Sequence, residues 1–450
     1  MSSTVDQLAE PRRLLLIAYR LAPDFSMESR LAWRRAVAAA QQYRVTVLCG
    51  LLDAHADDLR AEGVDVLHVP PSRWERRLAR LPGGSNLAYA RWQRRAYRVA
   101  QAKHEREPFD IAHHVSYCGY RQPSHCWRLD IPYIWGPIGG THAFPRQFFR
   151  AIEPLGAIRE AVRNGINAVQ LRWSPGVRQA IRHSTCVLAA SRQSQRELTT
   201  AGLRIDGVML ETGVDAAPAP APPRKPQPND EPLRILWAGR ACSWKALPLL
   251  LRALAGVSPA CLFQLRVMSA GPQLKRWQRL ADRLGLADRV EWVGWPGCTA
   301  REPHYQWADA FAFTSLRDTS GTGLLEALAA GAPIVGVDHQ GAADVMTDRC
   351  AIRVPVTSPT ATIEGFRAAI ELLARDRGRL AALSAGALER ARQFRWDVQS
   401  KRLLQAYDDA LAPRENASPA RLAQPSQPAR NATASATTSP AETCTAAASQ

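Results

Sequence analysis

The sequence predicts an α/β protein of two doubly wound, Rossmann-like domains, and three observations carry that prediction. Short apolar runs such as RLLLI, LRILWA and AFAF recur along the chain, each followed by a polar loop and a stretch of helical composition. Runs that are apolar throughout, rather than alternating, mark parallel strands buried on both faces. Residues 216–232, AAPAPAPPRKPQPNDEP, read as a linker stiffened by proline. The 450 residues, 46% of them hydrophobic, are enough for two such domains with buried cores.

The first domain is predicted over residues 1–215. Arg13 to Tyr19 is its first strand, and the loop RLAPDFSMESR leads into a helix from about Glu28 to Tyr43. Ser26 and Glu28 sit at that helix start, where they suit a cap and an acid in the first turn. Val45–Cys49 and Val64–Val69 are the next strands. Ser72 to Glu107 reads as two helices broken at Pro82-Gly83-Gly84. The fourth strand, Phe109 to His113, ends on His113 and His114. Open α/β sheets bind ligands at the carboxyl ends of their strands, so either histidine is a candidate. The fifth strand, Ile131 to Trp135, runs into GPIGGTHAFP, where Gly136, Gly139 and Gly140 allow an unusual backbone. Thr185 to Ala189 is a sixth strand, followed by a helix ending at Gly202.

The second domain is predicted over 233–394. Leu233 to Ala238 opens its sheet, and the loop after it carries Gly239, Arg240 and Lys245 ahead of a leucine-rich helix. Arginine offers phosphate oxygens a planar fork and lysine a point charge, at a helix start that already favours anions. Phe263–Ser269 and Val290–Gly294 continue the alternation. From Trp307 to Met346 the pattern is strand, loop, helix, strand, loop, helix. The strand Ala310–Phe313 feeds a polar loop ending at Gly321, and Gly331-Ala332-Pro333 stops the next helix. The first amides of that helix, at Gly321, Thr322 and Gly323, are predicted to form an anion site. Asp318 and Glu326 bracket that loop with seven residues between them, and carboxylates there suit hydroxyls rather than phosphates. Two or three helices come after Arg353. Residues 395–411 are expected to cross back to the first domain, and 412–450, poor in large apolar residues, to be disordered.

Taken together, Gly-Arg-x4-Lys at 239–245, the carboxylate pair at 318 and 326 before an Ala-rich helix, and the WGPIGG loop resemble family 4 of the retaining glycosyltransferases. That family has the GT-B architecture, and the resemblance runs over residues 12–411. It implies that Arg240 and Lys245 clamp the diphosphate of a nucleotide-sugar donor. Glu326 would meet the ribose, Asp318 the sugar hydroxyls, and Gly294 would open the base-binding loop. Asp318 stands where the family usually has glutamate. Either His113 or His114 would approach the donor sugar, with Ser26, Glu28, Gly136, Gly139 and Gly140 on the acceptor side. The activity implied is transfer of a hexose-type sugar to a glycan or lipid-linked acceptor, in surface polysaccharide or glycolipid synthesis. Rival readings are a non-catalytic scaffold of the same fold, or an epimerase or phosphorylase.

Composition narrows the setting. The nine cysteines are scattered without a Cys-x-x-Cys pair, which argues against a zinc site or a disulfide framework. No Asp-x-Asp pair occurs, so a bound metal is not expected, and the resemblance implies a nucleotide-sugar co-substrate and no cofactor. The net charge of +17 concentrates in residues 72–106, with ten Lys and Arg against two Glu, and in 146–204, with ten Arg against three Glu. Trp74, Leu78, Leu81, Trp92, Tyr97, Phe148, Phe149 and Trp173 are interleaved with these cations. That pattern predicts peripheral attachment of a cytoplasmic protein to an anionic membrane surface. Nucleic acid also attracts basic surfaces, but no recognition motif accompanies the charge.

Overall fold

The computed structural model describes residues 10–23, 27–53, 56–81, 83–215, 230–297 and 300–412. Ser26, most of the predicted linker and almost all of the predicted tail lie outside them. Two parallel sheets organise the chain. The first takes β1 (Arg13–Ile17), β2 (Arg44–Cys49), β3 (Val64–His68), β4 (Ile111–His114), β5 (Tyr133–Ile138), β6 (Cys186–Ala189) and β7 (Gly207–Val208), in spatial order β3-β2-β1-β4-β5-β6-β7. The second takes β8 (Leu233–Ala238), β9 (Phe263–Met268), β10 (Val290–Gly294), β11 (Ala310–Phe313), β12 (Ile334–Val337) and β13 (Ala351–Val354), in order β10-β9-β8-β11-β12-β13. In both sheets the strand that comes first in the chain lies inside, and the order reverses across it. The crevice at each reversal is where α/β sheets take ligands.

Seven helices surround the sheets where the site forms: α1 (Met27–Ala40), α2 (Arg73–Ala79), α3 (Gly84–Arg106), α4 (Pro154–Trp173), α5 (Leu247–Ala255), α6 (Thr322–Ala329) and α7 (Trp396–Leu411). The last of them packs on the first sheet. Leu403, Leu404, Ala406 and Tyr407 join Leu14, Leu16, Val45 and Val47 in one core. Burying each large side chain there contributes about 1.5–3 kcal/mol. The entry to α7 is pinned by paired backbone bonds, Val214 N–H to Phe394 at 3.0 Å and Trp396 N–H to Val214 at 2.9 Å. Farther along, Tyr43 donates its hydroxyl to Asp408 at 2.8 Å.

Several strand boundaries differ from the sequence reading, and two of the differences matter for the site. β4 extends through His114, and β5 runs on through Gly136 and a cis Gly136–Pro137 bond to Ile138. His113, His114 and Gly136 are therefore strand residues inside the sheet rather than loop residues beyond it. The interleaved aromatics also divide. Trp74 and Trp173 point outward, but Trp92 and Phe148 are wholly buried and belong to the core. Among the described residues no helix is long and apolar enough to cross a membrane.

Candidate active site

A cleft of about 180 Å³ opens between the two sheets, lined by Gly140, His142 and Arg163 from one side and Trp244, Lys245, Arg317, Asp318 and Thr319 from the other. The second-domain wall is built by two loops at strand ends. After β8 the chain turns through Arg240 and a short 3-10 turn, Ser243–Lys245, into α5. Gly239 packs against the Trp237 indole, and its carbonyl accepts from the Ser269 hydroxyl at 2.8 Å, fixing where this loop leaves the sheet. Arg240, in the same loop, is exposed. After β11, Thr314 donates to the Lys245 carbonyl at 2.6 Å and so ties the two loops together.

Lys245 and Asp318 form an ion pair across these loops. Burial works to raise the Asp318 carboxyl, but Lys245, together with hydrogen bonds from Ser315 and the Thr319 backbone, outweighs it and holds the pKa below the ordinary value. The Asp318 backbone N–H is held by the Gln340 side chain at 2.9 Å. Helix α6 begins just beyond. Its cap, Gly321, has φ +62°, a left-handed conformation that favours glycine, and a Cβ there would lie 2.8 Å from the Leu324 side chain. Thr322 and Gly323 come next at the helix start, and Gly323 sits close against Phe311 and the Tyr305 hydroxyl. Glu326, one turn in, accepts from that hydroxyl at 2.6 Å and pairs with Arg301 at 3.3 Å. Arg301 also lies 5.5 Å over the half-exposed Trp295 ring, beside Gly294 at the end of β10. Gly294, Trp295, Arg301, Tyr305 and Glu326 thus form one group, separate from the Lys245–Asp318 pair.

The first-domain wall departs from the sequence reading. His113 and His114 do not reach the cleft. His113 donates to the Gly136 carbonyl at 2.8 Å and takes the Tyr407 hydroxyl at 2.8 Å, so it locks α7 to the sheet. His114 is enclosed by Tyr89 at 3.0 Å, Gln93 at 3.3 Å and the Ser124 N–H at 3.4 Å. Burial lowers both pKa values to about 3, so both rings stay neutral. Gly136 is likewise internal, because a Cβ there would lie 2.4 Å from the Leu188 carbonyl.

The histidine at the cleft is His142, in the loop that leaves β5. Glu197 bonds its Nδ1 at 3.2 Å and Ser191 its Nε2 at 3.2 Å. Arg163, on α4, donates to the carbonyls of His142 at 2.6 Å and Gly140 at 2.9 Å. Burial, with Arg317 and Arg121 close by, lowers its pKa to about 10. Arg317 is itself held bidentately by buried Glu160 at 2.9 and 3.0 Å and lies 4.5 Å over Trp244. Arg163, Lys245 and Arg317 therefore face this cleft with one carboxylate, Asp318, a balance suited to an anionic group.

Gly139 closes the gap between the walls, with no room for a Cβ beside Glu211 and Thr319. Glu211 accepts from the Ser320 hydroxyl at 3.2 Å. Burial, and then Glu28, push its pKa up to about 8, so it carries a proton at neutral pH. Glu28 accepts from the Tyr117 N–H at 3.3 Å, and burial raises it as well. Sequence reasoning missed His142, Arg163, Arg317 and Glu211 as site residues. His142 stood inside the glycine-rich loop and Arg317 beside Asp318, whereas nothing local marked Arg163.

Residues 232–376 match the family described as Glycosyl transferases group 1. A D-inositol 3-phosphate glycosyltransferase of Salinispora tropica is 31% identical over 40% of this chain and 38% of its own length. The lipopolysaccharide core biosynthesis glycosyltransferase LpsD of Rhizobium meliloti is 28% identical over 51% of this chain and 64% of its own. The chain thus spans less than two thirds of the length of these curated relatives. The solved structure of Anabaena HepE in complex with UDP and glucose superposes with a TM-score of 0.58 over 88% of this chain and 99% of that one, at 16% identity. Likeness at that identity speaks to the fold, and it spans both sheets. Residues 232–376 are thus similar to the Glycosyl transferases group 1 family, in a chain that has the GT-B fold.

Proposed function

We propose that the protein is a retaining glycosyltransferase that moves a hexose-type sugar from a nucleotide-sugar donor to a glycan or lipid-linked acceptor. The observation that carries this reading is the cation-lined cleft between the sheets, with Lys245 and Asp318 on loops of the matched domain. The donor diphosphate would lie across the start of α6, between its amides and Lys245, with Arg240 at the rim. As the bond to the sugar breaks, negative charge grows on that diphosphate, and groups already oriented toward it lower the barrier. The cations and amides supply this charge balance, so no metal is required. Lys245 would pass from Asp318 to phosphate as the donor enters, freeing Asp318 to accept from sugar hydroxyls. Glu326, Arg301 and Trp295 would take the ribose and base.

The acceptor would enter from the first domain, past Glu28, Glu211 and Gly139. Relatives and neighbours named for lipopolysaccharide work favour a surface glycolipid or polysaccharide as the product. Incubation with a panel of nucleotide sugars, scored by release of nucleoside diphosphate, tests the reading. Release from at least one donor by the wild-type chain, lost in Lys245→Ala, is the expected result. Release from none, with acceptor glycolipids supplied, would sink it.

A further inference from the structure

Helix α4 has a face with no partner in the fold. Leu155, Ile158, Val162, Ile166, Val169 and Trp173 recur every three or four residues and so form one stripe along it. Each is between 46% and 65% exposed, and together they are half of the twelve large hydrophobic side chains exposed among the described residues. Single exposed hydrophobics need no explanation, but a contiguous stripe along a whole helix does.

The charges around the stripe are of one sign. Arg159 and Arg172 are exposed beside it, and Arg146 and Arg150 just before the helix. The nearby acids turn inward. Glu160 is buried against Arg317, and Glu153 accepts from Gln273 at 2.8 Å and from Ser243. At the carboxyl end, Arg172, Trp173 and Arg178 border an open cleft of about 440 Å³.

We propose that α4 is the element that seats this protein on an anionic bilayer, with the apolar stripe in the headgroup layer and the arginines on lipid phosphates. A stripe of this kind enters the boundary of the acyl region, and each cation beside it adds to the attraction. A second copy of this chain fits less well. A two-fold contact would press like-charged faces together with no carboxylate to pair them. The inner side of the same helix carries Arg163 into the candidate active site and Glu160 to Arg317. A helix with its side chains is about 10 Å across, so the cleft would open about one helix diameter above the surface. There it could meet a lipid-linked acceptor. That last consequence rests on the proposed glycosyl transfer, but the attachment does not.

The test is sedimentation of the full-length chain with vesicles of phosphatidylcholine and phosphatidylglycerol in equal parts, and with phosphatidylcholine alone, at low and high salt. The wild type should sediment with the anionic vesicles and be released by salt. The double variant Val162→Asp, Ile166→Asp should partition at least about tenfold less, since both changes put like charge where the acyl boundary would be. These positions are exposed, and an unchanged melting profile shows that the variant folds. A double variant on α2 and α3, Trp74→Ser, Leu87→Ser, should stay within about twofold of wild type, because those residues lie off the stripe. Equal partitioning of wild type and the α4 variant would overturn the proposal. So would equal binding to neutral vesicles, or a wild-type dimer that the α4 variant abolishes without any vesicle binding. Binding of UDP, GDP or ADP measured without vesicles is read separately. If it persists while sedimentation fails, only the membrane inference falls.

Discussion

The two walls of the cleft are built in different ways. On the second-domain side, the groups that face the cleft sit on two short loops at strand ends, fixed by backbone geometry. Gly321 needs its positive φ, Gly239 its closeness to Trp237, and the Lys245–Asp318 pair only the contact of those loops. On the first-domain side, the same work falls to residues far apart in sequence. His142 is held by Glu197 and Ser191, and its loop by Arg163 from α4. A site made from local loops tolerates few residue types but is easy to see. A site made from long-range side-chain bonds can be rebuilt with different residues.

The comparison predicts unequal effects of mutation. The largest belongs to Lys245→Ala, which removes a phosphate contact and leaves Asp318 unpaired. It should cost about 1.5–3 kcal/mol in the transition state, about ten- to more than a hundredfold in kcat/KM. Arg240→Ala should act in the same direction and, at the exposed rim, by less. Steady-state kinetics with the productive donor checks both, and near-wild-type turnover in the two variants would remove the donor assignment.

Next come the histidines, which set the walls apart from the core. His113→Phe should lower stability by about 1–3 kcal/mol, since it leaves buried partners on Gly136 and Tyr407. The folded fraction should keep its kcat/KM. His142→Gln should do the reverse, with about a tenfold loss of transfer and a smaller loss of stability. Thermal melts and kinetics on the same samples separate the two. A transfer defect in His113→Phe larger than in His142→Gln would restore the strand-end histidine to the site.

These cases show what was legible in the sequence. The parallel strands, the cation clamp and the glycine at the start of α6 were visible because each rests on a short run of residues with one local job. The strand-end histidines misled because β4 runs one residue farther than its apolar run suggests, which turns His113 and His114 into the interior. Extending β5 through Gly136 to Ile138 likewise moved that glycine inward and left His142 at the cleft. Arg163 and Glu160 could not be assigned from sequence. In that helix the outward stripe and the inward ionic face share one period, and only the packing shows which faces what.

Smaller effects sharpen the division on the donor side. Glu326→Gln should weaken binding of the bare nucleoside diphosphate, because it loosens Tyr305 and Arg301 together. Asp318→Asn should leave that binding nearly intact and change turnover or sugar choice. Calorimetry reads both, and equal weakening would merge the two roles.

The smallest predicted effect is a pH slope on the first-domain side. Glu211 has its folded pKa raised to about 8, above the unfolded value near 4.5. The unfolded chain therefore loses its proton first. The associated stability is fully present below about pH 4.5 and is lost as pH rises through about 8. Glu211→Gln should flatten that part of the stability profile. A profile between those pH values that is the same in both proteins would show that Glu211 is ionised in the fold.

The central claim is that the donor binds the second-domain wall and the acceptor the first. It is tested most directly by calorimetric titration of UDP, GDP and ADP into wild type, Lys245→Ala and Glu211→Gln. The account predicts that one of the three nucleotides binds the wild type, that Lys245→Ala loses about tenfold or more in affinity for it, and that Glu211→Gln binds it as wild type does. An affinity lost equally in both variants, or kept in Lys245→Ala, would contradict it.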